Sequence, residues 1–260
     1  MKKTIKIVLI SLTFLSLLFI SFYLILRFSF QEELELYPIE VSNNTELKIG
    51  IIGDSWVAGE KLDSLLNTNL SKNGIEAKIM SSGHSGAKSK LIYKNMFEDK
   101  NKENSSKFII ESHPDYCIVI AGVNDAIGQI GGKFYTYHLS LIIKTLLRNN
   151  IKPIIVELPE FGISEYTNKL NLIKKKRYEL FAMFNNDGDI DNIKAYRKNL
   201  NTSLEKQDLN NKIIFIDFDQ ICEDFDDCKE IYRADGVHLN IKGNTLLSEA
   251  IAKELIKEIR

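Results

Sequence analysis

Leu47-Lys48-Ile49-Gly50-Ile51-Ile52 runs directly into Gly53-Asp54-Ser55-Trp56, and this stretch decides the fold. The first six residues form an apolar run of β type. Ala58–Asn73 follows with helical spacing, since Leu62, Leu65, Leu66 and Leu70 recur at intervals of three and four, and Gly74 ends it. A strand that ends in Gly-Asp-Ser and turns into a helix places a serine hydroxyl at the C-terminal edge of a sheet. Open α/β proteins keep their chemistry at that edge.

The same alternation continues along the chain. Glu76–Ser81 reads as a second strand, followed by the turn-rich Ser82-Gly83-His84-Ser85-Gly86 and a helix over Lys88–Phe97, with Asp99–Lys107 as a polar connection. Tyr116–Ala121 is a continuous apolar run, as expected of a parallel strand covered on both faces. Tyr137–Leu147 reads as a helix, Ile151–Leu158 as a strand closed by Pro159, and Lys212–Phe218 as the last strand. Residues 160–210 are the least regular part; two helices are expected there, one of them strapped over the site, with Lys174-Lys175-Lys176-Arg177 as a solvated helix face. Ile241–Ile259 closes the chain as an amphipathic helix, with Leu247, Ile251 and Leu255 on one stripe. Strand and helix alternate throughout, which predicts a three-layer α/β/α sandwich with a mostly parallel sheet.

Four short motifs fall at strand ends or before the last helix: Gly53-Asp54-Ser55, Gly83-His84-Ser85-Gly86, Gly122-Val123-Asn124-Asp125 and Asp235-Gly236-Val237-His238. The first three follow successive strands, so in a parallel sheet they converge on one edge. A serine needs a base to lose its proton at neutral pH, and histidine is suited to that task. A carboxylate three residues before the histidine can reach its other ring nitrogen and fix the tautomer. The oxygen of an attacked carbonyl becomes negative and calls for fixed N–H donors, which the Ser55 and Gly86 backbones and the Asn124 amide can supply. Each residue also has a structural role open to it: Ser55 as a helix N-cap, Asn124 in an Asx turn, Asp235 as a cap of the last helix. Asp54 and Asp125 read as hydrogen-bonding braces, and His113 and His138 as structural or surface residues.

Over about residues 47–260 the chain resembles the SGNH or GDSL hydrolases, matching all four blocks of that family in order and spacing. The resemblance implies a flavodoxin-like fold, with Ser55 as nucleophile, Asp235 and His238 completing the triad, and Ser55, Gly86 and Asn124 forming the oxyanion hole. His84, beside the proposed hole, is a candidate substrate contact. The implied chemistry is ester cleavage through an acyl-serine, with no metal and no organic cofactor. Two departures stand out: Trp56 replaces the usual leucine, and Ala87-Lys88 follows Gly86 where a polar pair is common.

The N-terminus adds a second element. Ile7–Leu26 carries no charge, and its 20 residues suffice for a helix to cross a bilayer core of about 30 Å. Lys2, Lys3 and Lys6 precede it and Glu32, Glu33 and Glu35 follow, which points the N-terminus to the cytoplasm and the remainder outward. A cleaved signal peptide is the competing reading. Such segments have shorter apolar cores and a small-residue cleavage site, whereas this run ends in Leu26-Arg27-Phe28-Ser29-Phe30. The expected organisation is therefore a membrane anchor over 1–28, a spacer over 29–46 and a hydrolase domain over 47–260.

The formal charge of −1 divides unevenly. Residues 1–30 hold four of the 34 Lys/Arg and no acid, so the remainder has 30 basic against 35 acidic residues, a net of −5. That balance argues against nucleic-acid binding, which favours a basic face. Cys117 lies within an apolar run and reads as a buried strand residue; Cys222 and Cys228 flank an acidic segment, where a disulfide and two free thiols are both compatible with the sequence. No CxxC pair or HExxH motif points to a metal site. A tethered, outward-facing enzyme meets cell-envelope glycans or lipids first, so the expected partners are the membrane and an acylated small-molecule, glycan or lipid substrate. Deacetylation of a surface polysaccharide is the leading expectation, an O-acyltransferase on the same triad is the alternative, and an inactive tethered glycan-binding module is a third.

Overall fold

The computed structural model describes residues 10–21, 23, 46–59, 61–218, 221 and 225–260. The chain divides into two units, Met1–Glu35 and Leu36–Arg260. In the first, residues 10–21 and 23 are helical with exposed side chains. The 10–21 segment is about 18 Å long at 1.5 Å per residue. No helix among the described residues is long and apolar enough to cross a membrane. The rest of the expected anchor, residues 1–9, 22 and 24–28, lies outside the described residues, as does the expected spacer up to residue 45.

The second unit runs β1 (Leu47–Gly53), α1 (Ser55–Ala58), α2 (Leu62–Lys72), β2 (Ala77–Gly83), α3 (Ser89–Asn95), α4 (Lys107–Glu111), β3 (Tyr116–Ile120) and α5 (Val123–Ile127). It continues with α6 (Gly132–Arg148), β4 (Lys152–Val156), α7 (Ile163–Asn168), α8 (Leu172–Asn185), α9 (Ile193–Lys206), β5 (Ile214–Ile216), α10 (Phe225–Cys228) and α11 (Ile241–Ile259). The five strands form one sheet in the order β2-β1-β3-β4-β5. Every pairing is parallel, so the expectation of a mostly parallel sheet is met in full.

This strand order explains the sequence pattern. The chain steps from β1 outward to β2, then crosses back to β3 and onward to β4 and β5. Right-handed crossovers then place α2 on one face of the sheet and α3, α6 and α9 on the other. The closing helix α11 packs beside α2, where Asn69 Nδ2 donates to Ser248 Oγ at 2.9 Å. Covered on both faces, Ile49, Ile51, Ile52, Ile118 and Val119 are all fully buried, which is why β1 and β3 show no polar alternation. Leu247, Ile251 and Leu255 of α11 are fully buried as expected.

Several boundaries differ from the sequence reading. The first helix breaks in two around Gly59, with Lys61 in the left-handed region at φ 53°. The third helix begins at Gly132 rather than Tyr137. Residues 160–210 hold three helices rather than two, because the Asn171 side chain accepts from Lys174 N at 3.0 Å and starts α8 afresh. Lys174, Lys176 and Arg177 on α8 are exposed, as a solvated face requires. Cys117 is fully buried and free. Cys228 is disulfide-bonded; the expected partner, Cys222, lies outside the described residues.

Candidate active site

The sheet reverses its direction of winding between β1 and β3. That switch point, at the C-terminal ends of the strands, is where open α/β folds form their crevice. Asp54 N donates to Ile120 O at 3.3 Å and joins the two strand ends there. Asp54 caps α1, its Oδ1 accepting from Trp56 N at 3.0 Å, so the chain turns sharply and Ser55 opens the helix half-exposed. Trp56 points the other way, is fully buried, and packs on Phe218 with ring centroids 6.1 Å apart. It belongs to the core.

His238 and Asp235 lie on a loop closed by its own backbone. Arg233 N donates to His238 O at 2.7 Å, and Gly236 N to Arg233 O at 2.9 Å. Gly162 N to Gly236 O (2.9 Å) and Lys169 Nζ to Ala234 O (2.7 Å) fasten the loop to the segment after β4. Within the loop, Asp235 Oδ1 accepts from Val237 N (2.8 Å) and His238 N (2.9 Å), leaving Oδ2 for His238 Nδ1 at 2.8 Å. His238 Nε2 lies 3.1 Å from Ser55 Oγ, across a sequence separation of 183 residues.

Partial burial pushes the Asp235 carboxyl up, but the N–H groups of His238 and Val237 and the His238 ring outweigh it, and its pKa stays below the ordinary value. Asp235 is therefore an ionised, acceptor-only group. It requires the proton on His238 Nδ1, so in the neutral ring Nε2 is bare and faces the Ser55 hydroxyl. This arrangement can take a proton from Ser55 and hold the resulting imidazolium.

Asn124 opens into the same region from α5. Its Nδ2 donates to Ala87 O at 3.1 Å and, over a longer contact, to Asp54 Oδ2 at 3.4 Å. The first bond ties the amide to the residue next to Gly86. Gly86 itself is exposed at φ 77°, a backbone conformation that favours glycine, in the turn closed by Ala87 N to His84 O at 3.0 Å. His84 is held by Gly53 O, which accepts from His84 N at 2.9 Å, and its Nδ1 meets Asn95 Nδ2 at 3.0 Å. Gly83 lets β2 approach α1: a Cβ there would stand 2.1 Å from Ala58 N.

The two buried aspartates make hydrogen bonds of the kind expected of braces. Asp125 accepts from Ser89 N (2.8 Å) and Ser89 Oγ (2.5 Å), which joins α5 to α3. Burial raises its pKa to about 6 against those two bonds. For Asp54, burial raises the pKa to about 7; the Trp56 N–H opposes this, the Asp125 charge adds to it, and His238 and Asn124 oppose it. His138 is buried with Nδ1 against Phe134 O at 2.9 Å, and burial lowers its pKa to about 4. One neighbour of the site had no sequence signal: burial raises the pKa of the Tyr166 hydroxyl on α7, with Tyr178 and the Asp235 charge adding to it, and the segment is too irregular to place by periodicity. Among the described residues, no group of three or more His, Cys, Asp and Glu could hold a metal ion.

The chain matches the model of the GDSL-like lipase/acylhydrolase family over residues 51–246. No curated protein matches it. Among solved structures, a lipase/acylhydrolase from Enterococcus faecalis is 20% identical, with a TM-score of 0.58, covering 82% of this chain and 96% of that one. A GDSL-like lipase from Bacteroides thetaiotaomicron is 17% identical, with a TM-score of 0.54, covering 82% and 89%. The acetylxylan esterase Axe2 from Geobacillus stearothermophilus is 15% identical, with a TM-score of 0.55, covering 80% and 94%. At these identities the likeness is one of fold.

Proposed function

The chain belongs to the GDSL-like lipase/acylhydrolase family and is an ester hydrolase, and from that premise we propose that Ser55 is its nucleophile, acting through an acyl-serine intermediate. The observation that carries this is the continuous line from Asp235 Oδ2 through His238 (2.8 Å at Nδ1, 3.1 Å at Nε2) to Ser55 Oγ. His238 Nε2 takes the Ser55 proton as Oγ attacks the ester carbonyl carbon. The Ser55 and Gly86 backbone N–H groups and Asn124 Nδ2 receive the oxyanion. For Asn124 this means exchanging the long contact to Asp54 for the stronger, charge-assisted bond. The tetrahedral intermediate collapses, the alcohol leaves with the proton from His238, and water repeats the sequence to release the acid. His84 lies at the edge of this region as a substrate contact.

The 20-residue apolar run Ile7–Leu26 and the charge asymmetry around it support a single-pass tether, with the N-terminus cytoplasmic and the catalytic domain outside. An enzyme so placed meets acylated envelope glycans. Deacetylation of such a glycan is the proposed reaction, on a fold shared with an acetylxylan esterase.

Labelling with a serine-reactive phosphonate tests the assignment. The adduct is expected on the peptide carrying Ser55, and Ser55→Ala should lose both label and ester hydrolysis, a triad nucleophile being worth on the order of 10⁴–10⁶ in kcat. A label on another serine, or a Ser55→Ala protein within about tenfold of the parent (~1.4 kcal/mol), would overturn it.

A further inference from the structure

A groove of about 790 Å3 lies between α6 and α9, and no residue of the triad lines it. Its walls are two helical stripes. Lys133, Thr136, Tyr137, Ser140 and Lys144 recur at the three-and-four spacing of one face of α6. Lys198, Asn199, Thr202, Ser203 and Lys206 do the same on α9. The helices run parallel: Gly132 abuts Tyr196 and Asn199 near their starts, and Gln207 Nε2 donates to Ser140 Oγ at 3.2 Å further along. Lys133 and Lys198 therefore share one end, and Lys144 and Lys206 the other. The rise between the lysines of each helix is about 12–17 Å.

Three features of the groove point to a ligand. No acidic residue lines it, although residues 47–260 as a whole balance 30 basic against 30 acidic residues. Among the described residues none of its four lysines has an ion-pair partner, as is also true of other lysines such as Lys61 and Lys78, but these four line one concavity. Beside the lysines it presents uncharged polar side chains, among them Asn199, Thr202 and Ser203. Four unpaired cations gathered in a concavity repel one another. A bound anion relieves that repulsion, and hydroxyl groups on it pair with the polar side chains. The exposed Tyr137 adds an apolar face beside the cations.

We propose that this groove binds an anionic polysaccharide. Carboxylate or phosphate groups sit at the two lysine pairs, ring hydroxyls meet Ser140, Asn199 and Ser203, and one sugar lies on Tyr137. Two charge sites this far apart require a chain rather than a monosaccharide. The Lys133–Lys198 end lies toward the sheet edge that carries Ser55, because α6 and the parallel α9 are the helices that return the chain from the C-terminal ends of β3 and β4 to the next parallel strand.

The test uses the full chain with Ser55→Ala, in nonionic detergent, so that binding is read without turnover. Labelled polygalacturonate is the probe, with galacturonate monomer, neutral dextran, inorganic polyphosphate and anionic lipid vesicles as comparisons. Polygalacturonate should bind, more weakly as salt rises, and dextran and the monomer should not. Replacing Lys133, Lys144, Lys198 and Lys206 by Gln should weaken binding at least tenfold, and Tyr137→Ala several-fold. A control removing the same charge from α8 (Lys174, Lys175, Lys176 and Arg177 to Gln) should leave it within twofold. The proposal fails if polygalacturonate does not bind, if the α8 control weakens binding as much as the groove variant, or if polyphosphate or vesicles bind as tightly with Tyr137→Ala silent. With Ser55 restored, the groove variant should hydrolyse a small neutral ester at the parental rate, so loss of this site and loss of the catalytic assignment give different results.

Discussion

Replacing Asp54 by Asn should remove part of the pH dependence of stability. Asp54 is fully buried beneath the start of α1, and its pKa rises from 3.8 to about 7, chiefly through burial. The unfolded chain releases this proton near 3.8, whereas the folded protein holds it to about 7. Between those values the folded state binds more protons, so stability is fullest below about pH 4 and falls as pH rises. At about 1.36 kcal/mol for each pH unit, Asp54 removes about 4 kcal/mol between pH 4 and pH 8. Asn has no charge to bury, and its Oδ1 can still accept from Trp56 N, now at 3.0 Å. The assay is urea unfolding of parent and Asp54→Asn at steps from pH 4 to 8, read as the difference between the two. Asp235, whose lowered pKa gives the opposite slope, is common to both proteins and cancels. The difference should move by about 4 kcal/mol in favour of the variant as pH rises. A difference constant to within about 1 kcal/mol would refute the reasoning, since the buried carboxylate would then carry no proton that the unfolded chain lacks.

Three further outcomes are expected. Asn124→Ala should lower kcat about 10²–10³-fold with KM little changed, because its amide meets charge that exists only in the transition state; a raised KM with kcat intact would assign it to substrate binding. Asp235→Asn should keep the loop, since Oδ1 still accepts from Val237 N and His238 N, but its amide N–H repels a proton on His238 Nδ1. A kcat loss of about 10⁴ at a nearly unchanged Tm is expected in steady-state and melting measurements. Gly83→Ala forces a methyl group against Ala58 N at 2.1 Å; displacing α1 should cost about 3 kcal/mol and lower Tm by about 6–12 °C, and a melting curve matching the parent would show that the β2–α1 approach is not fixed.

The sequence by itself determined what depends on residues close together in the chain. Apolar runs without alternation marked β1 and β3 as buried on both faces, and the alternation of strand and helix specified a parallel sheet. Gly53-Asp54-Ser55 fixed a strand-to-helix turn, and Asp235 and His238 stand three residues apart, a spacing that one loop spans with its own backbone bonds. Boundaries were less legible where a cap or a break overrode periodicity: Asn171 starts a third helix in a stretch that reads as two, and α6 opens at Gly132, ahead of the Tyr137 start read from the apolar pattern. Only the tertiary structure decided that Ser55 Oγ meets His238 Nε2, because 183 residues of chain must fold before the two approach. Only it decided that Asp54 is buried enough to hold a proton to about pH 7. The lysines of α6 and α9, unremarkable in two separate stretches of sequence, likewise became one groove only when the helices packed. Local sequence sets hydrogen bonds between near neighbours, but burial, field and proximity depend on which surfaces the rest of the chain brings together.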